Sequence, residues 1–109
     1  MKLYLGGAYQ GQAELAQKEN PDGDVYLDFH ESIRKAVGEE GLDPCAFARQ
    51  FCKEHPNAIV VANEVGAGVV PTAAEDRAFR EAAGRALCVI AQEARQVTRC
   101  VCGIGVRIK

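Results

Sequence analysis

The stretch Gly6-Gly7-Ala8-Tyr9-Gln10-Gly11-Gln12-Ala13 is where residue types and spacing best suit chemistry. It follows a short apolar run and precedes a stretch that reads as helix. Gly6 and Gly11 are spaced as in the phosphate-binding pattern G-x-x-x-x-G-K-[ST]. Glycines let backbone N–H groups approach an anion closely, and the N-terminus of a following helix favours negative charge. The two side chains that act in that pattern differ here. Gln12 stands where a lysine would reach the phosphates, and Ala13 stands where a hydroxyl would hold Mg²⁺. The expectation is a phosphate or anion cradle built from Gly6, Gly7, Ala8, Gly11, Gln12 and Ala13, with a bare strand-to-helix turn as the alternative. Phosphoryl transfer relies on cations around the moving charge, and a neutral amide and a methyl supply none.

Other residues carry chemistry with less pattern behind them. Asp28 follows a second apolar run and could bind a metal or cap the next helix. Asn63 and Glu64 open a glycine-rich stretch, Asn63-Glu64-Val65-Gly66-Ala67-Gly68-Val69-Val70-Pro71. Glu64 could contact Mg²⁺ or a base, or order its own loop. Asp28 and Glu64 are therefore the candidate Mg²⁺ ligands. Arg77 and Arg80 could meet phosphate, although helix arginines are more often solvated or salt-bridged. His30 is an acid/base candidate or a surface or half-buried histidine. The five cysteines (Cys45, Cys52, Cys88, Cys100, Cys102) form no C-x-x-C pair. They read as reduced core thiols rather than metal or redox ligands. On a strand, Cys100 and Cys102 would face the same side.

These residues are placed by elements whose periods alternate. Strands are predicted near residues 2–5, 24–28, 58–62 and 98–103. Helices are predicted over about 11–19, then over a stretch where Phe29, Ile33 and Val37 recur, ending at Gly38. Asp43-Pro44 supplies an N-cap and a first helical residue for the next helix, whose buried stripe is Phe47, Ala48, Phe51 and Cys52. The longest helix is expected from about Ala73 to Gln96, opened by a Thr72/Glu75 capping box. Gly84 lies in its middle, which predicts close packing there. Alternating strands and helices imply an α/β fold with a small, mostly parallel sheet flanked by helices. Ligands in such sheets bind at the carboxyl ends of the strands, which gathers 6–11, 28–30 and 63–71 along one edge.

The chain has 109 residues and a formal net charge of −2, which suits one domain and gives no basic excess for nucleic acid or an anionic membrane. Its longest apolar runs fall well short of the roughly 20 residues of a membrane helix. No secretory signal is read at Met1-Lys2, and the thiols predict a reducing, cytoplasmic setting.

Asn63–Pro71, continued by Arg77-Ala78-Phe79-Arg80-Glu81-Ala82-Ala83-Gly84-Arg85, strongly resembles the bifunctional adenosylcobinamide kinase/adenosylcobinamide-phosphate guanylyltransferase family of cobalamin biosynthesis. That family shows N-E-V-G-x-G-[IV]-V-P and then R-x-F-R-[DE]-x-x-G-R. Its loop G-G-A-x-S-G-K-S is echoed by Gly6–Ala13, and Gly103–Lys109 resembles its C-terminus. The resemblance implies a P-loop NTPase-like domain over residues 1–109. It also implies ATP or GTP with Mg²⁺, a corrinoid ligand and assembly into homo-oligomers. The departures bear on activity. Gln12 and Ala13 replace the family's lysine and serine. The segment carrying its guanylylated histidine has no counterpart, and Leu87-Cys88 replace an Asn-Gln pair. Two expectations follow: a reduced family member with a degenerate nucleotide or corrinoid site, or a non-catalytic interaction or regulatory protein on the same scaffold.

Overall fold

A computed structural model describes residues 1–64 and 73–109. Strands β1 (Lys2–Gly6), β2 (Val25–Tyr26), β3 (Ile59–Asn63), β4 (Gln96–Val101) and β5 (Ile104–Arg107) alternate with helices α1 (Gln12–Glu19), α2 (Phe29–Gly38), α3 (Pro44–Glu54) and α4 (Ala74–Glu93). The strands form one sheet in the order β2-β3-β1-β4-β5. Among the described residues, β1 pairs in parallel with both β3 and β4, β2 pairs in parallel with β3, and β4–β5 is antiparallel.

The apolar run Ala58–Ala62 supplies a strand buried on both faces, as expected for the inside of a parallel sheet. Alternate residues divide between two cores. Leu3, Val60, Ala62 and Val97 meet the side chains of α2, α3 and α4, including Phe29, Ile33, Ala83 and Ile90. Tyr4, Ile59, Val61 and Cys100 meet α1 through Ala16. The larger core also holds the aromatic cluster of α2 and α3, with Phe29 4.7 Å from Phe51 and 5.9 Å from Phe47 between ring centroids. The Asp43 carboxylate accepts from the Ala46 N–H at 2.9 Å with Pro44 in the first turn, as the sequence predicts.

Several elements depart from expectation. β2 is two residues long, because only Val25 and Tyr26 find partners on β3, opposite Ile59 and Val60. α4 stops at Glu93 rather than Gln96. Ala94 turns extended, and Gln96 begins the ladder opposite Lys2. The predicted strand 98–103 is a hairpin: Cys102 (φ 51°) and Gly103 (φ 79°) turn the chain into β5. Cys102 is therefore an exposed turn residue and does not share a strand face with Cys100. Of the five thiols only Cys100 is buried, so the core-thiol reading fails for exposed Cys88 and Cys102. Gly84 is exposed with no atom of the described residues near its missing Cβ, which removes the close-packing explanation among them. Ala73 is the N-cap of α4 without a side-chain cap bond; the Thr72 half of the expected capping box lies outside the described residues.

Candidate functional site

The site is built where β1 hands over to α1. Gly11 caps α1 in the left-handed region (φ 89°), and a Cβ there would lie 3.2 Å from the Gly103 Cα. Both facts call for glycine. A Cβ on Gly6 would lie 2.9 Å from the Cys100 carbonyl oxygen, so β1 can approach β4 only without a side chain there. The loop is tied on two sides. Toward β3, the Glu64 N–H donates to the Gly6 carbonyl at 2.8 Å. Toward the hairpin, Gln10 accepts from Cys102 N–H with its Oε1 (2.7 Å) and from Gly103 N–H with its carbonyl (2.8 Å).

Gln12 occupies the centre. It is 5% exposed. Its Nε2 faces three oxygens: Asn63 Oδ1 at 2.8 Å, Gly7 O at 3.1 Å and Gly6 O at 3.2 Å. An amide has two hydrogens for those three acceptors. Its Oε1 is buried and, among the described residues, without a hydrogen-bond partner, which costs on the order of 1–3 kcal/mol. An ammonium group carries no acceptor, so it would leave nothing orphaned there. Asn63 is itself held, since its N–H donates to His30 Nδ1 at 3.1 Å. That bond requires a neutral imidazole with the proton on Nε2. His30 is thus a buried positioning group on α2, not the surface or half-buried residue expected.

Two adjoining cavities flank the loop. One, of about 310 Å³, is lined by Ala8, Gln12, Ala13, Asp28, Val61 and Asn63 among others. The other, of about 470 Å³, lies between the loop, α1 and the β4–β5 turn. Asp28 sits in the left-handed region (φ 52°) at the start of α2, and its carboxylate makes no cap hydrogen bond. Beneath the site, on the α1 face, burial and then the Glu19 hydrogen bond push the Tyr4 hydroxyl up to about 12. Burial likewise raises the Cys100 thiol.

A family model described as cobinamide kinase/cobinamide phosphate guanyltransferase matches residues 25–108. The chain belongs to this family. A curated relative, the bifunctional adenosylcobalamin biosynthesis protein CobU of Escherichia coli (strain K12), is 46% identical over 80 residues. That match covers 73% of this chain and 42% of the relative, so the chain spans under half the relative's length. The family match holds Asp28, Asn63, Glu64, Arg77 and Arg80, while the loop 6–13 precedes it.

The fold brings part of the residue set implied by the cobinamide kinase/guanyltransferase resemblance to one place. Ala8, Gly11, Gln12, Ala13, Asp28 and Asn63 line the smaller cavity, and Gly6 and Gly7 present their carbonyls to Gln12. Glu64 does not join them: its carboxylate pairs with Arg99 Nε at 3.3 Å. The expected Asp28–Glu64 Mg²⁺ pair is therefore not assembled, and Ala13 adds only a methyl. Among the described residues no three His, Cys, Asp or Glu side chains converge as a metal site. Two carboxylates, Asp28 and Glu14, do line the smaller cavity, without the Ser/Thr hydroxyl that the phosphate-loop pattern gives Mg²⁺. Arg77 and Arg80 lie in the first half of α4 and line neither cavity. Gly66 and Gly68 lie outside the described residues. Reading by motif missed Gln10, His30's bond to Asn63, and Arg99. The register that sets Arg99 beside Leu5 leaves no trace in local sequence.

Proposed function

We propose that this chain is a cobinamide kinase/guanyltransferase-type protein of cobalamin biosynthesis. In this reading its phosphate loop is degenerate and binds a nucleotide (ATP or GTP) or a corrinoid weakly, without kinase or guanylyl transfer through the lost lysine, serine and histidine. The observation that carries this reading is Gln12, seated on Gly6 O, Gly7 O and Asn63 Oδ1. A neutral amide there gives a phosphate no charge-assisted partner, and such bonds are worth about twice a neutral one. The five free thiols fit a reducing, cytoplasmic setting. No helix of the described residues is long and apolar enough to cross a membrane.

The test is the double change Gln12→Lys with Ala13→Ser, followed by calorimetric titration with MgGTP and MgATP. We expect weak or no binding by the wild type with no gain from Mg²⁺. The double variant should bind roughly tenfold tighter, in line with one charge-assisted bond gained, and become Mg²⁺-sensitive. Tight MgGTP or MgATP binding by the wild type overturns the proposal. A folded double variant that binds no better reduces the loop to a structural turn.

A second reading, a non-catalytic interaction protein on the same scaffold, draws on a different observation. Val101, Ile104, Val106 and Ile108 are exposed on and beside the edge strand β5. Such a patch favours a protein partner, including a second copy of the chain.

A further inference from the structure

The sheet ends on β2, a strand of two residues that is paired on one side only among the described residues. The Ile59 N–H donates to the Asp24 carbonyl at 2.9 Å, so the backbone of Asp24 and Tyr26 faces β3. Strand alternation then turns the N–H and C=O groups of Val25 and Leu27 outward. Short as it is, this edge is firmly held. The Tyr26 ring stands edge-on to Phe51 with centroids 5.1 Å apart. Its hydroxyl lies 2.9 Å from His55 Nδ1 and 3.0 Å from Asp24 Oδ2. Val25 packs on the core beneath α1, and Leu27, next in alternation, is 46% exposed. The charge along the edge has one sign. Between Lys18 and Arg34 the chain carries Glu19, Asp22, Asp24, Asp28 and Glu31, and no lysine or arginine. Glu54 adds a carboxylate beside His55. Natural sheets blunt their open edges with charge. Like charges set opposite one another repel, so these acids keep two β2 edges apart. They do not keep out a basic strand.

We propose that the β2 edge receives an extended segment of another protein in which lysine or arginine alternates with apolar residues. Such a strand pairs its backbone with Val25 and Leu27, as in strand addition to other open sheet edges. Asp24 and Leu27 lie on opposite faces of β2. An alternating strand therefore sets its apolar side chains beside Leu27 and its cations beside Asp24. Complementary charge selects this partner over an acidic one and speeds the encounter. Val25 and Leu27 line neither cavity, so the docking does not depend on what the loop binds.

The probe is an acetylated, amidated hexapeptide of alternating lysine and valine, titrated into isotope-labelled protein and followed by NMR. Two controls accompany it: the same peptide with glutamate for lysine, and the lysine peptide N-methylated at every residue. The lysine peptide should shift the Val25 and Leu27 amides and slow their exchange with solvent. The glutamate peptide should leave them unmoved. N-methylation removes the backbone donors and keeps the charge, and should weaken binding by about tenfold or more. Asp22→Asn with Asp24→Asn leaves the Tyr26 hydroxyl an acceptor at position 24, so the melting temperature should hold. That variant should bind the lysine peptide about fivefold more weakly. Equal binding of the N-methylated peptide shows charge attraction without strand pairing and overturns the proposal. Equal binding of the glutamate peptide, unchanged affinity in the double variant, shifts that miss Val25 and Leu27, or no shifts at all overturn it too. If the Val25 and Leu27 amides move when the protein alone is diluted, the occupant is a second copy and the proposal fails.

Discussion

Gln12 and Tyr4 illustrate how single polar groups set the character of this site. Gln12 could be read from sequence as a lost cation, because the pattern fixes what position 12 should hold. That its amide is buried, over-subscribed at Nε2 and orphaned at Oε1 could not be read, because those partners arrive from Gly6, Gly7 and Asn63 only after the sheet pairs. Tyr4 makes a pH prediction. Its hydroxyl donates to Glu19 Oε1 at 2.7 Å and accepts from Asn20 Nδ2 at 3.0 Å, under complete burial. The folded value is raised from 10.0 to about 12, so the protonated form is the one the fold favours. Its contribution is complete below the unfolded value and is lost as pH rises from about 10 through 12. Urea denaturation should therefore show Tyr4→Phe less stable by about 1–2 kcal/mol near pH 7, from two lost hydrogen bonds. The gap between variant and wild type should narrow by pH 11. A constant gap across that range would show that the hydroxyl's titration is not linked to folding.

Elements were legible where local chemistry decides them and obscure where partners do. The Asp43-Pro44 start of α3 and the Gly38 stop of α2 follow from capping and backbone preference, and both stand as read. The end of α4 and the whole of β5 do not. Residues Ala94–Val97 continue the helical apolar period, and only the pull of β1 makes them extended. β5 is short, fully exposed and broken by Gly105, so no alternation marks it. The glycines give a paired test at this scale. Gly84 is exposed in mid-helix with open space around it, so Gly84→Ala should stabilise by about 0.5–1 kcal/mol. Gly6→Ala should instead cost about 1–3 kcal/mol, because its methyl meets the Cys100 backbone, which cannot swing aside. Thermal unfolding of both variants checks this. Destabilisation by Gly84→Ala would mean that α4 is packed there by something not seen in this chain alone.

At the scale of the whole molecule, the sheet has an open apolar edge at β5. Val101 stands opposite Ile104 and Arg99 opposite Val106, so the exposed apolar side chains of the hairpin share one face. An unpaired edge with that face is a template for association. We expect wild-type protein to sediment as a dimer or trimer at tens of micromolar, and Ile104→Lys with Val106→Lys to sediment as a monomer without loss of secondary structure. A monomeric wild type would leave the patch without a self-partner. The two cores have a different consequence. Among the described residues, three helices cover one face of the sheet, whereas α1 covers the other with a far smaller set of buried side chains. Fluctuations that open part of a protein follow its weakest contacts. We therefore expect α1 to detach ahead of α2, α3 and α4, taking the loop with it because Gln12 is its first residue. Amide protons of α1 should then exchange with solvent ahead of those in the other three helices, and hydrogen exchange would show the Gln12 seat vacated without the fold unravelling; equal protection of all four helices would show that α1 does not open by itself.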